Sequence, residues 1–265
     1  MITSPSNERI KNIRKLLERK ARQESGLFYI EGLRIVAEAV EQGVTLDTLI
    51  VAPDLLKSTF GQELVAGQRA KGVSVLEVSS EVFQRISLKE GPQGLAAVAR
   101  QRWLPMEQVR VEAGKTWVAL DSVADPGNLG TILRTHDAVG GHGVILLDQS
   151  TDPFDPSAAR ASMGAMFTQR LVKASFAEFT EWKRKNAVFV VGTSDKAKTD
   201  YHKFRYPAAL VLLMGSERQG LQEHHLALCD EVVSIPMLGA SDSLNLAVAT
   251  AVVLYEILNQ RRDQR

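Results

Sequence analysis

Asp121-Ser-Val-Ala-Asp-Pro-Gly-Asn-Leu-Gly-Thr-Ile-Leu-Arg134, Leu213-Met-Gly-Ser-Glu-Arg-Gln-Gly-Leu221 and Ile235-Pro-Met-Leu-Gly-Ala-Ser-Asp-Ser-Leu-Asn245 are the stretches that decide how this chain folds. Each begins where an apolar, strand-like run gives out and ends where a helical pattern starts. Runs such as Leu210-Val-Leu-Leu-Met214 are apolar along their whole length, as suits strands of a parallel sheet covered on both faces. Each stretch is therefore a loop at the C-terminal edge of such a sheet, the edge where α/β folds bind ligands.

These loops carry Asn128, Arg134, Glu217, Ser243 and Asn245 but no carboxylate pair, Cys–His pair or lysine nucleophile. That set suits orienting a substrate rather than covalent catalysis. Pro126-Gly-Asn-Leu-Gly130 is neither the G-x-G-x-x-G fingerprint nor a Walker-type loop, which counts against a nicotinamide-dependent dehydrogenase. Each residue also has a local alternative. Asn128 could cap the helix that follows, Arg134 could pair with Asp137, Glu217 could cap the next helix, and Ser243 and Asn245 could cap the last helix.

In this order the three motifs resemble those of the SpoU (TrmH-like) family of RNA ribose 2′-O-methyltransferases, within the SPOUT superfamily. The resemblance rests on Asn128 and Arg134 after a strand, on Gly215-Ser-Glu217 with Gly220-Leu221, and on Ile235-Pro236 followed by Ser243-Leu-Asn245. It implies an α/β domain with a deep trefoil knot, although chains in general avoid knots. It implies S-adenosyl-L-methionine held mainly by backbone at Gly215, Ile235 and Leu244, and a homodimer formed through this domain. Asn128, Arg134, Glu217, Ser243 and Asn245 would then serve catalysis or substrate placement. Arg218-Gln219 departs from the small or acidic residues frequent in the second motif. The family's arginine acts at the ribose 2′-hydroxyl. With a pKa above ~12 a guanidinium is a poor base, so Arg134 is expected to orient the hydroxyl and stabilise developing alkoxide.

At 265 residues the chain has room for two ordinary domains or one large one. Hydrophobic residues at 45% and charged residues at 24% are ordinary globular values and indicate neither disorder nor a fibrous repeat. No apolar window reaches membrane-spanning length, and the start has no basic segment followed by an apolar core, so a cytoplasmic protein without a membrane partner is expected. The single cysteine, Cys229, excludes an intramolecular disulfide. It leaves His224, His225 and Cys229 as the one conceivable metal cluster, which lacks a fourth ligand, so no metal is expected. The net charge of +1 means that nucleic-acid binding must come from local patches.

Residues 9–22 supply such a patch. Arg9, Lys11, Arg14, Lys15, Arg19, Lys20 and Arg22 face a single acid, Glu18, while Ile10, Ile13 and Leu17 recur at helical spacing. The pattern predicts one amphipathic helix whose basic face is either simply solvated or, through Arg9, Lys11, Arg14, Lys15 and Arg22, an RNA contact. Strands then alternate with helices to Ala99, as in a small α/β domain. The run Asn7…Lys11…Arg22…Phe28-Tyr-Ile-Glu31-Gly32 resembles the start of the RNA-binding domain of SpoU-like proteins, itself similar to kink-turn-binding ribosomal proteins. The domains are therefore read as 1–100 for RNA substrate binding, 101–115 as linker and 116–265 for catalysis. The arrangement resembles the ribosomal-RNA branch of the family and implies 23S rRNA as partner. A tRNA substrate, or a non-catalytic RNA-binding protein keeping the fold, are the alternatives.

Overall fold

The computed structural model describes residues 1–263, and the chain divides into two compact units. The first comprises Met1–Gln101 with Phe154–Phe167, and the second comprises Arg102–Pro153 with the chain from Thr168 onward.

The first unit begins with α1 (Glu8–Lys15), α2 (Arg19–Ser25), β1 (Leu27–Glu31) and α3 (Leu33–Glu41), followed by β2 (Leu46–Val51), α4 (Thr59–Ala70), β3 (Ser74–Glu77), α5 (Ser80–Ile86) and β4 (Leu95–Arg100). Its sheet runs β1-β4-β2-β3, with β4 antiparallel to both neighbours and β2 parallel to β3. Ile10, Ile13 and Leu16 bury the apolar stripe of α1 against Tyr29, Ile50, Phe83 and Val98.

The single helix expected over 9–22 is two helices, broken at Leu16–Glu18. The break turns the carbonyls of Leu16 and Leu17 toward Arg22, whose Nη1 donates to them at 3.0 and 2.9 Å. Arg22 Nη2 meets Asp155 Oδ2 at 3.1 Å, and the residue is 1% exposed. Arg22 therefore ties the fold together and is not on the basic outer face, which corrects its assignment as an RNA contact. Arg9, Lys11, Arg14 and Lys15 are exposed.

In the second unit come β5 (Thr116–Asp121), α6 (Pro126–Ala138) and β6 (Gly143–Leu147). The chain then adds α7 (Pro156–Ser162) to the first unit, where the ring of Phe154 packs 4.8 Å from that of Phe28. The sequence reading places this helix in the second domain. The burial of Phe154 and the neutralisation of Arg22 by Asp155 draw it to the first. Then follow β7 (Arg170–Ala174), α8 (Phe176–Asn186), β8 (Val190–Thr193), β9 (Thr199–Asp200), β10 (Leu210–Met214), α9 (Glu223–Leu226), β11 (Glu231–Ser234) and α10 (Leu246–Asp263).

These strands form one parallel sheet in the order β7-β6-β5-β10-β8-β11-β9. Its central members β5, β6 and β10 are buried at every residue, as their unbroken apolar runs require. Two strands escape the sequence reading. β7 lies at the sheet edge with Arg170 and Lys173 exposed, which interrupts its apolar run, and β9 has only two residues. Residues 102–115 are not a free linker. Leu104 N–H donates to Leu171 O at 2.8 Å, and Val109 is buried in the second core.

α10 starts at Leu246, and although Leu246–Leu254 is apolar but for Thr250, the helix leaves Val248 49% and Tyr255 47% exposed. Near its end Arg261 donates to the carbonyls of Gly114, Lys115 and Ala208. Gln264 and Arg265 lie outside the described residues. Among the described residues no helix is long and apolar enough to cross a membrane.

Candidate active site

At the C-terminal end of β5 the chain turns through Ser122, held at φ 50°, and enters α6 with Asp125 as its cap. Asp125 Oδ1 accepts from Asn128 N–H at 2.7 Å, and Pro126 sits in the first turn, where its missing N–H costs nothing. Asn128 is therefore inside the helix rather than its cap, and its side chain is left for other work.

That side chain joins two distant loops. Asn128 Nδ2 donates to Glu217 Oε1 at 3.3 Å, and Asn245 Nδ2 donates to Asn128 Oδ1 at 3.0 Å. An ionised carboxylate can only accept, so Glu217 fixes the orientation of the Asn128 amide, and Asn128 in turn fixes Asn245. Glu217 also accepts from the N–H groups of Ala124 at 3.1 Å and Asp125 at 3.2 Å. Partial burial works to raise the Glu217 pKa, but these backbone donors and the Asn128 amide together outweigh it and hold the pKa below the usual value. Asn245 Oδ1 caps α10, accepting from Ala247 and Val248 N–H.

The loop after β10 folds back on itself. Gly220 N–H donates to Ser216 O at 3.0 Å, and a Cβ on Gly215 would lie 2.1 Å from the carbonyl carbon of Gly220, so only glycine fits there. Beneath the loop His225 Nδ1 accepts from Gln222 N–H, and its Nε2 lies 3.5 Å from Asp121 Oδ1. Burial pushes the His225 pKa down, which favours the neutral ring with its proton on Nε2.

A cavity of about 600 Å³ opens over the ends of these strands. Its walls include Gly215, Glu217, Ile235, Ser243 and Leu244, so the three expected cofactor positions meet at one place. Thr193, at the end of β8, and Ser194–Lys196 after it also line it, and the sequence reading does not single them out. The same rule that picks the ends of β5, β10 and β11 picks them too, since an apolar strand there runs into Ser194-Asp195-Lys196. Asn128 and Asn245 do not line the cavity and reach it through Glu217. Arg134 does not line it either. It is exposed on α6, and its side chain has no hydrogen bond or ion pair among the described residues. The alternative pairing with Asp137 is not formed, and Asp137 instead accepts from Thr168 Oγ1 at 2.5 Å.

The cavity suits an adenosyl group. Met214, Leu221, Val233 and Leu246 give it an apolar floor. Across Pro236–Leu244 no backbone N–H or C=O is hydrogen-bonded within the described residues, which leaves these groups to a ligand with ring and sugar heteroatoms. The described residues contain no group of three or more His, Cys, Asp or Glu side chains placed to hold a metal ion.

Residues 115–255 match the SpoU rRNA Methylase family, and residues 7–97 match the MRM3-like substrate binding domain. The chain is 32% identical over 267 residues to the 23S rRNA (uridine(2479)-2′-O)-methyltransferase of Streptomyces viridochromogenes, covering 98% of this chain and 92% of that protein. It is 28% identical to the 23S rRNA (guanosine(2553)-2′-O)-methyltransferase RlmP of Bacillus subtilis, covering 97% and 98%. The AdoMet-bound rRNA methyltransferase from Sinorhizobium meliloti superposes with a TM-score of 0.90 at 38% identity, covering 100% and 98% of the two chains.

Proposed function

This chain belongs to the SpoU rRNA methylase family, and from that premise we propose that it transfers a methyl group from S-adenosyl-L-methionine to a ribose 2′-hydroxyl of 23S ribosomal RNA. The observation that carries the proposal is the Glu217–Asn128–Asn245 chain, which locks the three motif loops together at the rim of the cavity. The relatives in Streptomyces and Bacillus are named for a uridine and a guanosine, so what they share is the ribose chemistry and not the base.

When bound, the cofactor supplies an electrophilic methyl on sulfur, with Gly215, Ile235 and Leu244 as its backbone cradle. Transfer to a hydroxyl is an in-line displacement that needs no protein nucleophile, so alignment can supply a large share of the acceleration. Glu217 stays ionised and keeps the Asn128 and Asn245 amides in fixed orientation, while Ser243 lies on the cavity wall with Glu217. Arg134, exposed and unpaired among the described residues, is free to meet the ribose and its phosphate, where its charge offsets the developing alkoxide.

Arg9, Lys11, Arg14 and Lys15 would hold the RNA backbone from the first domain. A homodimer through the second domain would cover Val248 and Tyr255, the apolar side chains that α10 leaves open. A location in the cytoplasm goes with the rRNA substrate.

The test is transfer of labelled methyl to unmodified rRNA and, separately, to tRNA, by the protein and its Arg134→Ala variant. Label on rRNA that drops about a hundredfold or more in the variant is expected. Label on tRNA alone would replace the substrate, and binding without transfer to either would favour a non-catalytic RNA-binding role.

A further inference from the structure

Within the first unit a second pocket, of about 240 Å³, opens between the start of α3, the loop after α5 and α7. Its walls are apolar, formed by Leu33, Ile35, Leu88 and Met163, of which Leu88 is 45% and Met163 40% exposed. Drug-sized ligands occupy roughly 300–1,000 Å³, so this pocket suits one planar ring system rather than a larger molecule.

Its rim carries Arg34, Lys89 and Arg160, all exposed, and none of their side chains has an ion pair or hydrogen bond among the described residues. The one carboxylate in the lining, Glu31, is already engaged by the Ser87 hydroxyl at 2.5 Å and the Leu88 N–H at 2.8 Å. Three unpaired cations around one opening bring no ion pair to the fold and create a field that attracts phosphate.

The backbone is shaped to the same end. Gly32 precedes α3 at φ +114°, a backbone conformation that favours glycine, and its open face has Lys89 Nζ as the nearest neighbour, so this ammonium sits over the start of the helix. α3 has no side-chain cap, and Leu33 N–H meets only Gln93 Oε1, at 3.5 Å. The buried hydroxyl of Tyr29, which also lines the pocket, makes no hydrogen bond of good geometry, although the Glu31 carboxylate is near enough to add to the rise that burial causes in its pKa.

We propose that this pocket receives one unstacked nucleotide of the substrate RNA, its base against Leu88 and Met163 and its phosphate against Arg34, Lys89 and Arg160. Sequence-specific RNA recognition works on splayed bases of loops and bulges, which an apolar slot ringed by cations accommodates and a duplex cannot enter. The inference rests on the RNA-methylating reading above and adds an RNA-binding surface distinct from the basic face of α1.

The test measures affinity for an unmodified 23S rRNA fragment as a function of salt, with KM and kcat for methyl transfer, on the full-length protein. An Arg34→Gln, Lys89→Gln, Arg160→Gln triple variant should weaken binding more than tenfold and reduce the salt slope by about 0.7 for each single-strand phosphate that is no longer neutralised. Leu88→Ala should weaken binding about fivefold or more with the salt slope unchanged, the signature of a base that has no apolar wall to pack on. In both, kcat at saturating RNA and the rise in Tm with S-adenosyl-L-methionine should match wild type, which separates the effect from misfolding. Unchanged affinity in both variants of an enzyme that still methylates rRNA overturns the pocket assignment alone. A wild-type protein that methylates no RNA overturns the reading beneath it, and the pocket assignment with it.

Discussion

Asn245 donates its side-chain amide to Asn128 Oδ1 at 3.0 Å while its own Oδ1 caps α10 on Ala247 and Val248 N–H. One side chain thus serves a helix terminus and the site at once, and two substitutions separate the roles. Asn245→Ala should lose about 1 kcal/mol of stability with the cap, together with methyl transfer. Asn245→Asp keeps a cap acceptor but cannot donate to Asn128, so stability should stay within about 0.5 kcal/mol of wild type while kcat/KM falls as in the alanine variant. Chemical denaturation and initial rates read the two effects. A wild-type rate for Asn245→Asp would sever the link between this hydrogen bond and catalysis.

Glu217 accepts from two backbone N–H groups and one side-chain amide. Glu217→Gln weakens those hydrogen bonds and turns N–H hydrogens toward other donors, so the loop between β5 and α6 should loosen and Tm fall. Because Glu217 and Asn128 share one hydrogen bond, Glu217→Gln and Asn128→Ala should combine non-additively, with a coupling of about 0.5–3 kcal/mol in a double-mutant cycle. Additive losses would show that the network is not a unit.

Arg22 and Arg9 lie in the same basic segment and should answer differently. Arg22→Gln removes a buried cation that serves Asp155 and two carbonyls, and should cost about 3 kcal/mol or more of stability. Arg9→Gln with Lys11→Gln should leave Tm nearly unchanged and, on the proposed function, weaken RNA binding in a salt-dependent way. Paired melting and RNA-binding titrations make the comparison, and a stable Arg22→Gln protein would count against the buried tie.

His136 is fully buried, with Nε2 2.9 Å from the Thr116 carbonyl oxygen and Nδ1 2.8 Å from the Gln169 side-chain amide. Burial pushes its pKa down to about 4, although both hydrogen bonds oppose the shift. An unfolded histidine titrates near 6.5, so above that pH the ring is neutral in both states and carries no penalty. As pH falls from 6.5 toward 4 the unfolded chain takes up a proton that the folded one refuses. Stability then drops by about 1.4 kcal/mol per pH unit, to a total near 3 kcal/mol. Unfolding free energies of wild type and His136→Gln across this window should diverge by that slope, and parallel curves would show that protons reach the folded ring.

The sheet and its ligand edge were legible because they depend on local pattern. The unbroken apolar runs of β5, β6 and β10 report strands covered on both faces, and the polar loops that end β5, β10 and β11 mark the sheet edge over which the cavity opens. Gly215, Ile235, Ser243 and Leu244 could be placed at one cavity on that basis together with the resemblance of motifs. Charge pattern could not distinguish Arg22 from Arg9, since what buries Arg22 is Asp155, 133 residues further along the chain. Nor could it show that Phe154–Phe167 joins the first unit, that Arg170 and Lys173 mark a sheet edge, or that Asn128 is flanked by Glu217 and Asn245, 89 and 117 residues away. Periodicity tells which face of an element is apolar. Which distant side chain meets that face, and whether a polar group finds its partner there, is decided only when the chain has packed.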